Sequence, residues 1–60
     1  MTPKELRKKV EKSGFVFTRQ SGGHAIFKHP VQKTRVVIPM HSKDIPIGTL
    51  HAILKDAGLK

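Results

Sequence analysis

A chain of sixty residues without one cysteine has to hold itself together by packing alone. At this size only about 60% of the surface exposed by the unfolded chain is buried on folding, so the core must be small. Neither a disulfide nor a zinc–thiolate cluster is available as a staple. Stability must therefore come from Leu, Ile, Val and Phe side chains packed between a few short elements, with an obligate partner as a further source. The length accommodates one domain, residues 1–60.

Thr2-Pro3-Lys4-Glu5 has the form of a capping box, with Pro at the first helical position and Glu three residues after the cap. Leu6 and Val10 then share one helical face while Lys4, Arg7, Lys8, Glu11 and Lys12 point elsewhere. Ser13-Gly14 ends this helix, Gly14 being free to take the left-handed conformation. After it the period changes. Phe15 to Gln20 is rich in aromatic and β-branched residues and reads as a strand, broken by Ser21-Gly22-Gly23. His24 to His29 is a second strand closed by Pro30, and the glycine pair between the two predicts a hairpin. A turn over Val31 to Thr34 leads to a third strand, Arg35 to Met40, with Pro39 tolerated at its end or on an edge. His41 to Pro46 reads as a connecting loop that includes Ser42. A second helix runs from near Pro46 to about Ala57, with Leu50, Ile53, Leu54 and Ala57 on its buried face. Gly58 supplies its stop, and Leu59 the apolar contact that accompanies such caps.

The order is αβββα. It predicts an α+β domain of two layers, a three-stranded antiparallel sheet with both helices on one face. The double-stranded-RNA-binding domain has this order of elements and reads A-form RNA by shape and by 2′-OH and phosphate contacts. Fold analogy of this kind does not fix function.

Charge narrows the function classes. Twelve Lys and Arg stand against four Asp and Glu, a formal +8 that draws polyanions: nucleic acid, or an acidic protein partner. No apolar run approaches the roughly 20 residues that cross a bilayer. No segment pairs a lysine-rich face with a wide aromatic or leucine face, so a membrane surface is not an expected partner. The N-terminal segment is charged and amphipathic rather than signal-like, which fits a cytoplasmic location.

The segment Gly22-Gly23-His24-Ala25-Ile26-Phe27-Lys28-His29-Pro30 carries most of the chemistry. Glycines leave backbone N–H groups uncovered, so the turn can cradle a phosphate. His24 leaves that turn, and Lys28, four residues on in a strand, points to the same face. A base and a cation beside a phosphate-binding turn suit phosphodiester chemistry. RNA allows this without a metal, because its 2′-OH is a built-in nucleophile and histidine works near neutral pH. Two readings stay open on these residues alone: a ribonuclease acting through His24, and a basic RNA-binding module in which His24 is a surface residue and Gly22-Gly23 only a turn.

A metal site is not expected. His24 and His29 are five apart, on opposite faces of one strand, and His41 and His51 fall in other elements. These last three read as surface polar residues, with His29 or His41 as alternatives for a general acid. Lys8, Lys9 and Lys12 belong to a solvated helix face. Arg19, Lys28, Lys33, Arg35 and Lys43 lie on or beside the sheet and form the expected RNA track.

Taken in order, these segments resemble the HicA family of mRNA interferase toxins. The resemblance runs from Lys4-Glu5-Leu6-Arg7 through Ser13-Gly14-Phe15 and the Gly22 to Pro30 segment. It continues in Val37-Ile38-Pro39-Met40-His41, Lys43-Asp44-Ile45, Gly48-Thr49-Leu50 and Leu54-Lys55-Asp56-Ala57-Gly58-Leu59. It implies the αβββα fold, translation-independent cleavage of mRNA, a cognate HicB-type antitoxin that covers the active site, and His24 as the catalytic histidine; no cofactor is expected. Gly22 and Gly23 would then shape the phosphate pocket, with Lys28, Arg19, Arg35 and Lys43 binding RNA. The residue before that histidine is usually Ser or Thr in the family, whereas here it is Gly23. The histidine itself is retained, so activity is expected to survive.

Overall fold

The computed structural model describes residues 1–41 and 43–59 and arranges them as α1 (Pro3–Lys12), β1 (Val16–Ser21), β2 (His24–Lys28), β3 (Arg35–Pro39) and α2 (Ile47–Asp56). The αβββα order and the α+β class are those expected; Ser42, read as loop, lies outside the described residues. The capping box of α1 forms in full. The Glu5 N–H donates to the Thr2 hydroxyl at 3.2 Å, and the Thr2 N–H donates to the Glu5 carboxylate at 2.8 Å.

Both helices end in the same way. Gly14 and Gly58 take φ of 104° and 72°. The N–H of the residue after each glycine reaches back to the third-last helical carbonyl, Phe15 to Val10 at 3.1 Å and Leu59 to Leu54 at 2.8 Å. This is a Schellman closure, and it explains why Phe15 is not the start of a strand: it is the apolar residue of the cap, buried against Val10. At the other helix Pro46 is the N-cap, not a helical residue; its ψ of 143° is extended, and its carbonyl accepts the Leu50 N–H at 2.8 Å.

The sheet has the order β1-β2-β3 and is antiparallel throughout. Alternation along β2 and β3 sends Ala25, Phe27, Val36 and Ile38 into the core, where they meet Leu6 and Val10 of α1 and Ile53 and Ala57 of the second helical segment. Phe27 is fully buried at the centre. The Arg7 guanidinium lies over the rings of Phe17 and Phe27, 5.2 and 5.5 Å from their centroids, so the stem of a charged residue shields the open end of this layer. Among the described residues, no helix lies on the opposite sheet face.

In β1 the pairing passes from Phe17↔Phe27 directly to Arg19↔Ile26, leaving Thr18 as the extra residue of a β-bulge. The bulge changes which side chains share a face. Strict alternation would put Arg19 on the side of Phe17, facing the helices. Instead Arg19 is paired with Ile26 and stands on the open face.

Candidate active site on the open sheet face

Cross-strand partners point to the same side of a sheet, so the register lays out this face row by row. Ser21, His24 and Pro39 form the first row, Arg19, Ile26 and Val37 the second, and Val16, Lys28 and Arg35 the third. His24, Arg19, Lys28 and Arg35 are all exposed. The Cα atoms of His24 and Lys28 are separated by about 13 Å at the usual strand rise. None of the three strands contains Asp or Glu; the four acids sit on the helices and the β3–α2 loop. The face is therefore cationic without internal neutralisation, with Val16, Ile26 and Val37 supplying apolar surface between the charges.

At one end of this face lies the β1–β2 turn. Gly22 takes φ of +58° while Gly23 does not enter the left-handed region, the pattern of a two-residue hairpin turn with glycine at its first central position. A side chain at Gly22 would meet nothing within 4 Å, so the turn is open above it; its backbone conformation is what calls for glycine. Among the described residues neither Gly22 nor Gly23 donates its N–H to a protein acceptor. Two donors without a protein acceptor among the described residues, beside an exposed imidazole, can hold an anionic oxygen. The Met40 N–H donates to the Gly23 carbonyl at 2.8 Å, which ties the turn to the end of β3.

The structure thus brings together Gly22, Gly23, His24, Arg19, Lys28 and Arg35. It does not bring Lys43 to them through the sheet: Lys43 is exposed in the loop between β3 and α2. His51 is exposed on α2, in the helical layer on the far side of the sheet.

His29 requires a correction. It is not the last residue of β2 and not a free surface group; it is half-buried just beyond the strand. Its Nδ1 accepts the N–H groups of Val31 and Gln32 at 3.2 and 3.0 Å, and its Nε2 is 3.2 Å from the Ser13 carbonyl. An accepting Nδ1 must be bare, so Nε2 carries the hydrogen and donates it to Ser13. The ring also meets Phe15 edge-on at 5.1 Å. His29 binds the end of α1 to the β2–β3 turn, at the opposite end of β2 from His24. That occupation removes it as the general acid. His41, by contrast, lies against Gly23, a proximity with no local signal beyond the missing side chain at that position.

Among the described residues, no group of three or more His, Asp or Glu is arranged to hold a metal ion, and no helix is long and apolar enough to cross a membrane. No curated protein matches the chain significantly. A family model described as the HicA toxin of bacterial toxin-antitoxin matches residues 3–59, nearly the whole chain. The chain belongs to the HicA toxin family, the toxin side of a toxin–antitoxin pair whose other member is its antitoxin partner.

Proposed function

We propose that this toxin is a metal-independent endoribonuclease that cleaves mRNA through His24 in the cytoplasm and is neutralised by a HicB-type antitoxin. The observation that carries the reading is the placement of His24: at the exit of an open glycine turn, on a carboxylate-free face shared with Arg19, Lys28 and Arg35. The three cations and the apolar residues between them suit a ribose–phosphate backbone lying across the strands. His24 takes the proton from a 2′-OH, whose oxygen then attacks the adjacent phosphorus. The N–H groups of Gly22 and Gly23 stabilise the charge that develops on the phosphoryl oxygens. Base catalysis by a positioned histidine is worth about 10²–10⁴-fold. An antitoxin that covers this face would block substrate and catalytic residue together.

The same cationic face on an αβββα fold also favours a second reading, a module that binds structured RNA without cutting it. Incubation of the purified chain with end-labelled mRNA in excess chelator separates the two. The expected result is fragments with wild type and intact RNA with a folded His24→Ala variant. Cleavage undiminished in His24→Ala, or abolished by the chelator, contradicts the proposal; a shifted but intact band supports the module.

A further inference from the structure

Gly23 is not there for its backbone freedom, since its φ is one that any residue can adopt. Space is the reason. A Cβ built on Gly23 would collide with the His41 Cδ2 and lie 2.5 Å from its Nε2 and 2.8 Å from its Cγ, all well inside ordinary van der Waals contact. The His41 ring occupies the volume that any side chain at position 23 would need. With consecutive Cα atoms 3.8 Å apart, its Nε2 lies within about 8 Å of the His24 Cα. Two imidazoles therefore flank one glycine turn, and the hydrogen bond from Met40, the residue before His41, to the Gly23 carbonyl ties the segment just beyond β3 to that turn.

Cleavage of RNA by its own 2′-OH needs two proton transfers, one from the nucleophile and one to the leaving group. A single histidine supplies one of them. Of the other histidines, His29 is held by Ser13, Val31 and Gln32, and His51 stands on the far layer. His41 is exposed and beside the turn. We propose that His41 is a second catalytic residue, the general acid of the reaction, and that Gly23 is the positioning residue that makes room for its ring. The inference rests on the ribonuclease reading. His24 removes the 2′-OH proton as the 2′-oxygen–phosphorus bond forms. The phosphorus–5′-oxygen bond breaks, and the His41 imidazolium gives its proton to that oxygen. The products are a 2′,3′-cyclic phosphate and a 5′-hydroxyl end, and solvent resets both rings.

The test replaces the 5′-oxygen at a mapped cleavage site by sulfur, because a thiolate leaves without a proton. On natural RNA, His41→Gln and Gly23→Ala are expected to be slower than wild type by about 10²–10⁴-fold. On the sulfur substrate His41→Gln is expected within a few-fold of wild type, whereas His24→Gln stays slow on both substrates. His51→Gln is the unaffected control, and urea midpoints establish that each variant is folded. His41→Gln decides the matter, and Gly23→Ala, which displaces the same ring but also disturbs a phosphate donor, is read beside it. Natural RNA cleaved at the wild-type rate, or an equal loss on both substrates, overturns the role of His41 while leaving the ribonuclease reading intact. Wild type that cuts neither substrate overturns both.

Discussion

Replacing His29 by alanine separates a structural histidine from a catalytic one. The ring makes one half-buried hydrogen bond, to Ser13 at 3.2 Å, and accepts two exposed N–H groups, from Val31 and Gln32. Net hydrogen bonds contribute about 0.5–1.5 kcal/mol each, the exposed pair at the low end because water replaces the ring as acceptor. The edge-on contact with Phe15 adds about 0.5–1 kcal/mol. The sum is about 2–3 kcal/mol, against a total of about 3–9 kcal/mol for a domain of this length. For so small a domain the melting temperature should fall by about 15–25 °C. Circular dichroism melts of wild type and His29→Ala measure that shift, and RNA cleavage at low temperature, where both are folded, measures activity. The expected variant is labile but active within a few-fold. An unchanged melting temperature together with abolished cleavage would refute the reasoning and return the ring to the chemistry.

Three further outcomes rest on equally local features. The Thr2 backbone N–H, with its hydroxyl assisting, holds the Glu5 carboxyl below its ordinary value. A depressed folded value means that the Glu5 contribution is fully present above the ordinary value of 4.5 and is lost as pH falls through the folded one. Urea midpoints measured from pH 6 downward should therefore decline less steeply in Glu5→Gln than in wild type. Lys33 is left-handed at φ 59°. Lys33→Gly should gain about 0.5–1 kcal/mol in denaturation experiments, the relief of steric cost less the flexibility that glycine adds to the unfolded chain. RNA binding by the His24→Ala protein should weaken with salt. Removing Arg19, Lys28 or Arg35 singly should make the log–log slope shallower by about 0.7–0.9 for each phosphate no longer neutralised. Titrations in which none of the three changes the slope would place the RNA elsewhere.

Several features are legible in the sequence because their causes are local. A threonine, a proline and a glutamate at fixed offsets make the α1 cap, and the two glycines in left-handed conformations stop both helices within a residue of the expected points. Runs rich in aromatic and β-branched residues, bounded by glycine and proline, locate the three strands, and alternation within β2 puts His24 and Lys28 on one side. Sequence and structure part at element ends, where a neighbour distant in the chain decides. The β-propensity of Phe15 assigns it to a strand, but the helix cap claims it. His29 reads as the end of β2, but Ser13, sixteen residues earlier, claims its ring.

Composition, periodicity and capping chemistry by themselves determined the class, the order of elements, the excess of positive charge and the candidate histidine, because each depends on residues a few positions apart. Tertiary structure alone decided which side chains surround that histidine. A single bulge at Thr18 turns Arg19 from the helix side to the open face, a parity that no alternation pattern reveals. Packing of the β3 end against the hairpin turn sets His41 over Gly23 and gives a missing side chain its reason. These are contacts between segments far apart in the chain, and only the folded register brings them within reach.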